Sequence, residues 1–419
     1  MNVLYLVKQF PSLSQTFVLN EVAELTRRGC GVYVMAAFDP RDGAAALDPR
    51  IASRVSYLEH DYAYPYAPSR KYSEEDVRER AAAALEADDE LVRAKERRTL
   101  WDLVSRLEPD PDRARRGLLE GLAVLRFLRQ RDIRHVHCDF AEDNVRLAWL
   151  VNRSAGVPFT FKMRAYDIFA EPPADLGLWA SAAERVLTIS EYNRAYICAS
   201  LGLAADKVEV VRDGIRVDAI RPVDPYVHRP FKVLSASRLV EKKGFPDLIA
   251  ACAILARRGI DLRCEIYGDG PMGDELARQV EAQALGSVVT LGGRRAHEEL
   301  LRLMDGASVF VLPCLQARNG DRDGTPNVLM EAMARALPVV STWMSGIPEI
   351  VEHGSDGLLV APGDPQSLAA AIERIHADRE LAERLRGRAR ARAERLFRIE
   401  RTAEEFLALA ASWAPAASR

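Results

Sequence analysis

The chain has 419 residues, of which 48% are hydrophobic and 28% charged, and 58 basic against 61 acidic side chains give a formal net charge of −3. This length requires two or three domains, the composition excludes a chain dominated by disorder, and the slightly acidic balance argues against a nucleic-acid binder. The six cysteines are scattered without a C-x-x-C pair, so neither a disulfide framework nor a zinc knuckle is expected.

The N-terminal segment predicts the opening of a parallel α/β sheet. Residues 3–7 and 31–37 are apolar runs typical of strands. Between them, Ser14 is a suitable N-cap for a helix that runs through Arg28 and stops at Gly29. The first run has no basic n-region and no cleavage site, so we interpret it as a strand and not a signal peptide. No run of eighteen apolar residues occurs, and we expect no transmembrane helix and a cytoplasmic location.

A long charge-rich segment, residues 73–131, interrupts the alternation of strands and helices. Thirteen acidic and ten basic residues between Ser73 and Arg116 give it a net charge of 10 − 13 = −3. A membrane anchor would be basic, so the pattern favours a solvated helical insertion.

Two further series of apolar runs predict two doubly wound α/β domains with a boundary near residue 220. The strands predicted in the first half are residues 133–138, 159–162, 186–190 and 208–211, and those in the second half are 232–237, 263–267, 288–291, 309–312, 338–341 and 357–360. Residues 384–401 carry eight Arg and two Glu. We interpret this last segment as a solvated helix face, with weak peripheral contact to an anionic membrane as the alternative.

The segment D-G-T-P-N-V-L-M-E places two acids, Asp323 and Glu331, on either side of a predicted helix start. Thr325 is a good N-cap and Pro326 suits the first helical position. The free N–H groups and positive dipole end of such a helix form a natural seat for a phosphate, and Glu331 could accept hydrogen bonds from sugar hydroxyls. The alternative is a capped surface helix with one Glu on its buried face.

A basic loop follows the first strand of the second half. Arg238 and Lys243 are five residues apart at the carboxyl edge of the predicted sheet, where doubly wound folds bind ligands. Two cations there can clamp a diphosphate. A solvated basic turn is the alternative.

Three other patterns match known binding motifs only in part and are weak evidence for a ligand or metal site. The G-x-G-x-x-G at residues 268–273 lacks the acid a dinucleotide site needs about twenty residues later, so we interpret it as a turn. The D-x-D at residues 321–323 precedes a helix in a second Rossmann-like half, where no metal is expected. His135 and His137 have no third ligand nearby and are expected to pack or to form hydrogen bonds.

Taken together and in order, these segments resemble the GT-B glycosyltransferases, specifically the retaining enzymes of family 4. The resemblance spans nearly the whole chain. It rests on F-P-S-L-S-Q-T-F at residues 10–17, S-R-L-V-E-K-K-G at 237–244, Y-G-D-G-P at 267–271, the acid-x7-acid block at 323–331, S-G-I-P-E at 345–349 and G-L-L-V-A-P-G at 357–363.

The resemblance implies two Rossmann-like domains that face a central cleft. Residues 1–220 would bind the acceptor, 221–395 would bind a sugar nucleotide, and a helix within 396–419 would cross back to the first domain. Arg238 and Lys243 would hold the donor diphosphate, Glu331 would contact the ribose and Asp323 would lie near the donor sugar. The residues that would offer backbone amides to the sugar and phosphates are Gly324, Thr325, Pro326, Asn327 and Val328.

Two departures from the family pattern affect the predicted site. Asp323 stands where relatives usually have Glu, which shortens its reach by one methylene. Arg164 stands where relatives commonly have His, and an arginine cannot act as a base. We assign Arg164, Asp167 and Gln15 to the acceptor or sugar side, where Arg164 would bind an anionic group. The alternatives are a structural pair of Arg164 with Asp167 or with Asp323, and a neutral change in a solvent-filled cleft.

The resulting prediction is a metal-independent retaining transfer of a sugar from a nucleoside-diphosphate sugar to a hydroxyl acceptor, without a cofactor. The acceptor would be a sugar, a natural product or a lipid-linked molecule, and nucleic acid is not expected as a partner. Two other functions remain open: a sugar-nucleotide epimerase or hydrolase on the same fold, and a non-catalytic sugar-nucleotide-binding protein.

Overall fold

The computed structural model describes residues 2–11, 16–38, 47–58, 73–87, 89–223, 226, 229 and 231–413. Ser14 and Gln15, which the sequence analysis assigned to a helix cap and to the acceptor side, lie outside the described residues. Two parallel sheets covered by helices build two Rossmann-like domains, which confirms the predicted fold class.

The first domain is built on a seven-stranded sheet with the order β3-β2-β1-β4-β5-β6-β7, and every pair of neighbours is parallel. Its strands are β1 (Asn2–Gln9), β2 (Gly31–Phe38), β3 (Val55–Tyr57), β4 (Val136–Asp139), β5 (Phe159–Met163), β6 (Arg185–Thr188) and β7 (Val208–Val210). Alternate residues of β1 face opposite sides, so that Leu4 and Leu6 enter one core and Tyr5 enters the other.

The helices of the first domain are α1 (Thr16–Arg27), α2 (Pro49–Ala52), α3 (Glu74–Glu86), α4 (Ala94–Leu107), α5 (Pro111–Gln130), α6 (Asp143–Ala155), α7 (Leu176–Ala182) and α8 (Glu191–Leu201), with a π-turn at Tyr166–Ala170. Helices α3 to α5 form the charge-rich insertion. A capping box at Ser73 starts α3, and Asp110 caps α5. Their apolar faces, including Val77, Leu100 and Leu118, join the core beneath the sheet, so the insertion is solvated on one side only.

The second domain contains a six-stranded parallel sheet with the order β10-β9-β8-β11-β12-β13. Its strands are β8 (Phe231–Ala236), β9 (Leu262–Tyr267), β10 (Val289–Gly293), β11 (Val309–Val311), β12 (Val339–Thr342) and β13 (Leu358–Val360). Its helices are α9 (Phe245–Arg257), α10 (Gly273–Ala282), α11 (His297–Leu303), α12 (Asn327–Ala334), α13 (Ile347–Ile350), α14 (Pro365–Ala377) and α15 (Arg379–Leu396). The strand order reverses between β8 and β11, which is where such sheets open a ligand-binding crevice.

The final helix, α16 (Ile399–Trp413), packs on the first domain beside α1. Phe406 contacts His137 edge-on, and Trp413 stacks on His135. The two histidines share the hydroxyl of Thr160, and burial lowers the pKa of each to about 3. Both are therefore neutral packing residues, as interpreted from the sequence.

The arginine-rich helix α15 differs from the solvated face predicted for it. Arg386 and Arg390 reach the backbone carbonyls of the linker between the domains, at Val223 and Ile220, and Arg392 binds the carbonyl of Ile350. A guanidinium has five donors and can satisfy carbonyls that no amide reaches. Those three side chains are therefore structural, and the exposed arginines of this helix are Arg379, Arg384, Arg388 and Arg395. No helix among the described residues is long and apolar enough to cross a membrane.

Candidate active site

Loops at the carboxyl ends of both sheets meet between the domains. A Cβ added at Gly324, in the loop after β11, would lie 2.9 Å from Cδ1 of Ile189, which follows β6. A Cβ added at Gly346, in the loop after β12, would lie 2.9 Å from Cβ of Ser190 and 3.0 Å from the carbonyl oxygen of Gly324. Glycine at these two positions thus permits the domains to approach closely beside the start of α12.

The predicted basic loop lies at this junction. The chain leaves β8, turns through a single 3-10 turn at Glu241–Lys243 and enters α9 after Gly244. Gly244 has a φ of +68°, and a Cβ there would lie 1.9 Å from the carbonyl oxygen of Pro313, so only glycine fits. This turn buries Lys243 and directs it towards the loop after β11.

The glycine-rich segment interpreted as a turn supports the same loop. Gly268 and Gly270 have φ values of +149° and +156°, and Cβ atoms there would lie 1.8 Å from the carbonyl oxygen of Ser237 and 2.5 Å from that of Leu239. The amide of Leu239 donates to the carbonyl of Asp269 at 2.9 Å. The motif therefore allows close backbone packing beneath Arg238 and does not resemble a dinucleotide-binding site in its contacts.

Asp323 and Lys243 form an ion pair, with 2.7 Å between Oδ2 and Nζ. Burial alone would raise the pKa of Asp323, but Lys243 and Lys242 hold it below its ordinary value. Conversely, Asp323 keeps the pKa of Lys243 raised in spite of the burial of that ammonium group. The thiol of Cys314 donates a further bond of 3.2 Å to Asp323, and burial raises the pKa of that thiol. The pair is therefore charged at neutral pH.

Arg238 differs from Lys243 in being exposed. Among the described residues, no carboxylate pairs with its guanidinium. An exposed arginine beside a buried lysine gives the loop one cation that is free to meet a ligand and one that an incoming anion would share with Asp323.

The helix predicted to hold phosphate begins one residue later than expected. Its N-cap is Pro326 and not Thr325, and Asn327 is its first residue. Pro326 has no N–H, so the amides available at the helix start belong to Asn327 and Val328. The hydroxyl of Thr325, predicted to cap the helix, is buried and has no hydrogen-bond partner among the described residues. A buried hydroxyl without a partner is costly, and a ligand oxygen at this position would satisfy it.

Glu331 lies in the second turn of α12 with 9% of its side chain exposed. Its Oε1 is 2.8 Å from Nε2 of His297, the first residue of α11. This hydrogen bond raises the pKa of His297 in spite of partial burial. His297 was not predicted as a site residue, because nothing in its local sequence distinguishes it from a surface histidine.

Arg164 lies at the carboxyl end of β5 and is 5% exposed. Its Nε and Nη2 donate to the two oxygens of Asp139 at 2.7 and 3.0 Å, and its Nη1 donates to Asp213. The ring of Phe17 lies 3.8 Å from the guanidinium carbon. The structure thus gives Arg164 two carboxylate partners that the sequence analysis did not name.

Asp167, one of the two partners proposed for Arg164, bonds to backbone amides instead of the guanidinium. It accepts from the N–H of Arg164 at 2.8 Å and from that of Ala141 at 2.7 Å. Burial raises the pKa of Asp167 to about 7, although these bonds oppose the shift. Asp323, the other proposed partner, belongs to the lysine pair described above. Arg164 therefore belongs to a structural cluster of the first domain.

The described residues contain no group of three or more His, Cys, Asp or Glu side chains arranged to hold a metal ion. Both carboxylates of the D-x-D segment face ammonium groups, since Asp321 pairs with Lys242 at 3.0 Å and Asp323 pairs with Lys243.

The fold and the site together define a GT-B architecture, in which two Rossmann-like domains place a cation loop, a helix start and two acids at their junction. Solved structures show the same fold. The sucrose-phosphate synthase of Thermosynechococcus elongatus superposes with a TM-score of 0.72 at 18% identity, covering 99% of both chains. The Anabaena protein Alr3699/HepE in complex with UDP gives 0.71 at 18% identity, covering 98% of this chain and all of that one.

In sequence, residues 217–392 match the family model of glycosyl transferases group 1. The amylovoran biosynthesis glycosyltransferase AmsK of Erwinia amylovora is 41% identical over 177 residues, which are 42% of this chain and 44% of that protein. The putative colanic acid biosynthesis glycosyltransferase WcaL of Escherichia coli K12 is 39% identical over 202 residues, 47% of this chain and 49% of that protein. An alpha-D-kanosaminyltransferase of Streptomyces kanamyceticus is 27% identical over 60% of this chain and 69% of its own length. In the first two matches the chain spans about half the length of the relative.

Proposed function

We propose that this chain is a retaining glycosyltransferase that moves a sugar from a nucleoside-diphosphate sugar to a hydroxyl acceptor without a metal. The observation that carries the proposal is the junction of Arg238 and Lys243 with the start of α12. The match of residues 217–392 to group 1 glycosyl transferases supports the same reading of this domain.

The cations and the helix start would stabilise the leaving group. Negative charge grows on the β-phosphate as the glycosyl bond breaks, and donors fixed in a partly buried site stabilise it most. Arg238 is available as a direct contact, whereas Lys243 would divide its three N–H bonds between Asp323 and the phosphate. The amides of Asn327 and Val328 would add two uncharged donors at the positive end of the helix.

The two acids of the block would contact different parts of the donor. Glu331, oriented by His297, would accept hydrogen bonds from the ribose hydroxyls. Asp323 would lie near the donor sugar, where its bond to Lys243 fixes the carboxylate. Among the described residues the site offers no evident nucleophile, and Arg164 cannot serve as a base because two carboxylates hold it as a cation. We therefore propose front-face transfer without a covalent enzyme intermediate.

The first domain would bind the acceptor. Relatives named for amylovoran and colanic acid biosynthesis make a saccharide the first acceptor to test, and natural products and lipid-linked molecules are the next. UDP bound to the structural neighbour HepE makes a uridine nucleotide the first donor to test.

A screen of UDP-, GDP-, ADP- and dTDP-sugars by thermal shift, followed by turnover assays with and without saccharide acceptors, tests the proposal. Transfer that needs an acceptor, with an unchanged anomeric configuration by NMR, is the expected result. Donor breakdown or conversion without an acceptor would establish the hydrolase or epimerase instead. Tight binding without turnover, under any acceptor tried, would favour the non-catalytic binding protein.

A further inference from the structure

Glu349 connects the two domains through the first turn of α8. It belongs to α13 of the second domain and ends the S-G-I-P-E segment, of which the site described above uses only Gly346. Its Oε2 accepts from the backbone N–H of Glu191 at 3.0 Å and its Oε1 from that of Tyr192 at 2.9 Å. Nη2 of Arg212 lies 3.0 Å from Oε2. One carboxylate of the second domain therefore accepts from two backbone amides of α8 and from the guanidinium of Arg212, which follows β7.

This contact completes the cap of α8. The side chain of Ser190 accepts from the N–H of Asn193, and the amides of Glu191 and Tyr192 have no acceptor among the described residues of the first domain. Glu349 supplies both missing acceptors and places a negative charge at the positive end of the helix dipole. The glutamate is 24% exposed, so these bonds are only partly screened by water.

The same junction fixes the loop that precedes α12. Gly346, three residues before Glu349, lies against Ser190 and against the carbonyl of Gly324. Gly324 in turn lies against Ile189. Gly324, in the loop that leads into α12, is therefore packed on the first domain beside the bonds that Glu349 makes.

A second contact of this loop reaches the same helix. Nη1 of Arg322, one residue before Asp323, donates to the hydroxyl of Tyr192 at 2.9 Å, and its guanidinium carbon lies 4.6 Å from the ring centroid of Phe169. Arg322 and Glu349 are both partly exposed, and their contacts join α8 to two different loops of the second domain.

We propose that Glu349 is a positioning residue, whose carboxylate holds the start of α8 so that the domains stay docked with the donor loop in its working place. The role of this loop in donor binding rests on the proposed function, whereas the docking of the two domains does not depend on it. A positioning role predicts that Glu349 acts on turnover much more than on donor binding, since Arg238 and Lys243 remain in place when the domains separate.

The variants Glu349→Ala and Glu349→Gln test this, with Glu352→Ala as the matched control. Glu352 is an acid of the same surface, 65% exposed, and its ion-pair partner Arg392 lies in its own domain. Glu349→Ala should increase the radius of gyration in solution scattering and speed amide exchange at Glu191 and Tyr192. Glu349→Gln retains one carbonyl acceptor and should give a smaller change, and the control should behave as the unmodified protein.

Under UDP-sugar turnover, Glu349→Ala should lower kcat about tenfold or more while the donor KM and the affinity for UDP stay within about twofold. Rapid exchange and expansion with unchanged kcat would overturn the positioning role. Unchanged scattering and exchange in both variants would overturn the docking role. If the unmodified protein turns over none of the sugar nucleotides, the proposed function fails, but scattering and exchange still decide whether Glu349 holds the domains together.

Discussion

Replacing Arg164 by Met should destabilise the first domain and not simply weaken substrate binding. The guanidinium is 5% exposed and makes three hydrogen bonds to Asp139 and Asp213, which are 1% and 4% exposed. Methionine fills much of the same volume but leaves Asp139 and Asp213 buried without the cation that is hydrogen-bonded to them. A buried ion pair is most sensitive to the removal of one partner, because the desolvation free energy of the remaining charges is then no longer compensated.

Removal of one partner from a buried pair costs about 3–5 kcal/mol. For a domain of this size, about 2–4 °C of melting temperature corresponds to each kcal/mol, so the expected loss is about 6–20 °C. The loss should depend on pH. Arg164 now holds the pKa of Asp139 below its ordinary value against the effect of burial. Without Arg164, burial raises that pKa, folding takes up a proton, and the penalty becomes smaller as the pH falls.

Thermal unfolding at several pH values, together with kinetics on an acidic and a neutral acceptor, decides the outcome. Arg164→Lys should lose less stability, since it keeps the charge but not the fork of donors. Arg153→Met, at an exposed arginine of the same domain, is the control and should change nothing. If Arg164→Met melts like the unmodified protein and raises KM for the acidic acceptor alone, Arg164 binds substrate and the structural assignment is wrong.

Three other measurements test the second domain. By calorimetry, Arg238→Ala and Lys243→Ala should each weaken nucleoside-diphosphate binding about tenfold or more. The control Arg278→Ala, which removes an exposed arginine of α10, should leave this affinity unchanged. Arg238→Ala is easier to interpret, because Lys243 also stabilises a buried acid. Transferase activity should survive excess EDTA, and a loss reversed by Mn²⁺ or Mg²⁺ would make the D-x-D acids metal ligands. By NMR, the ring of His297 should titrate at a higher pH than an ordinary histidine, and its pKa should return towards the ordinary value in Glu331→Gln. Because folding raises this pKa, the stabilisation from the pair is complete at low pH and is lost as the pH rises through the pKa of the folded protein. Identical titrations in both proteins would contradict the role of Glu331.

The fold followed from local patterns in the sequence. Buried parallel strands need continuous apolar runs, and these runs predicted the strands of both sheets to within a few residues, with the short β3 as the exception. The loop that carries Arg238 and Lys243 could be placed because it directly follows a strand, and the carboxyl ends of the strands in a doubly wound sheet form its ligand-binding edge. Asp323 and Glu331 were found in the same way, from their spacing around a helix start.

Contacts between distant segments could not be read from such patterns. Arg164 lies 25 residues from Asp139 and 49 from Asp213, and the charges of these residues do not show which of many acids will share a buried site. The same is true of His297 beside Glu331, 34 residues apart. Helix α12 begins one residue later than predicted, with Pro326 as its N-cap, and the Thr325 hydroxyl has no hydrogen-bond partner among the described residues.

The sequence by itself therefore determined the elements, their order and the strand-end loops, because strand periodicity, glycine conformations and helix starts depend on residues close together in the chain. Only the tertiary structure decided the pairing of Arg164 and the bond of Glu349 to α8, 157 residues away. Such pairings depend on the packing of whole sheets and on which charges become buried together, and the free energy of a buried charge is set by its surroundings in space and not by its neighbours in sequence.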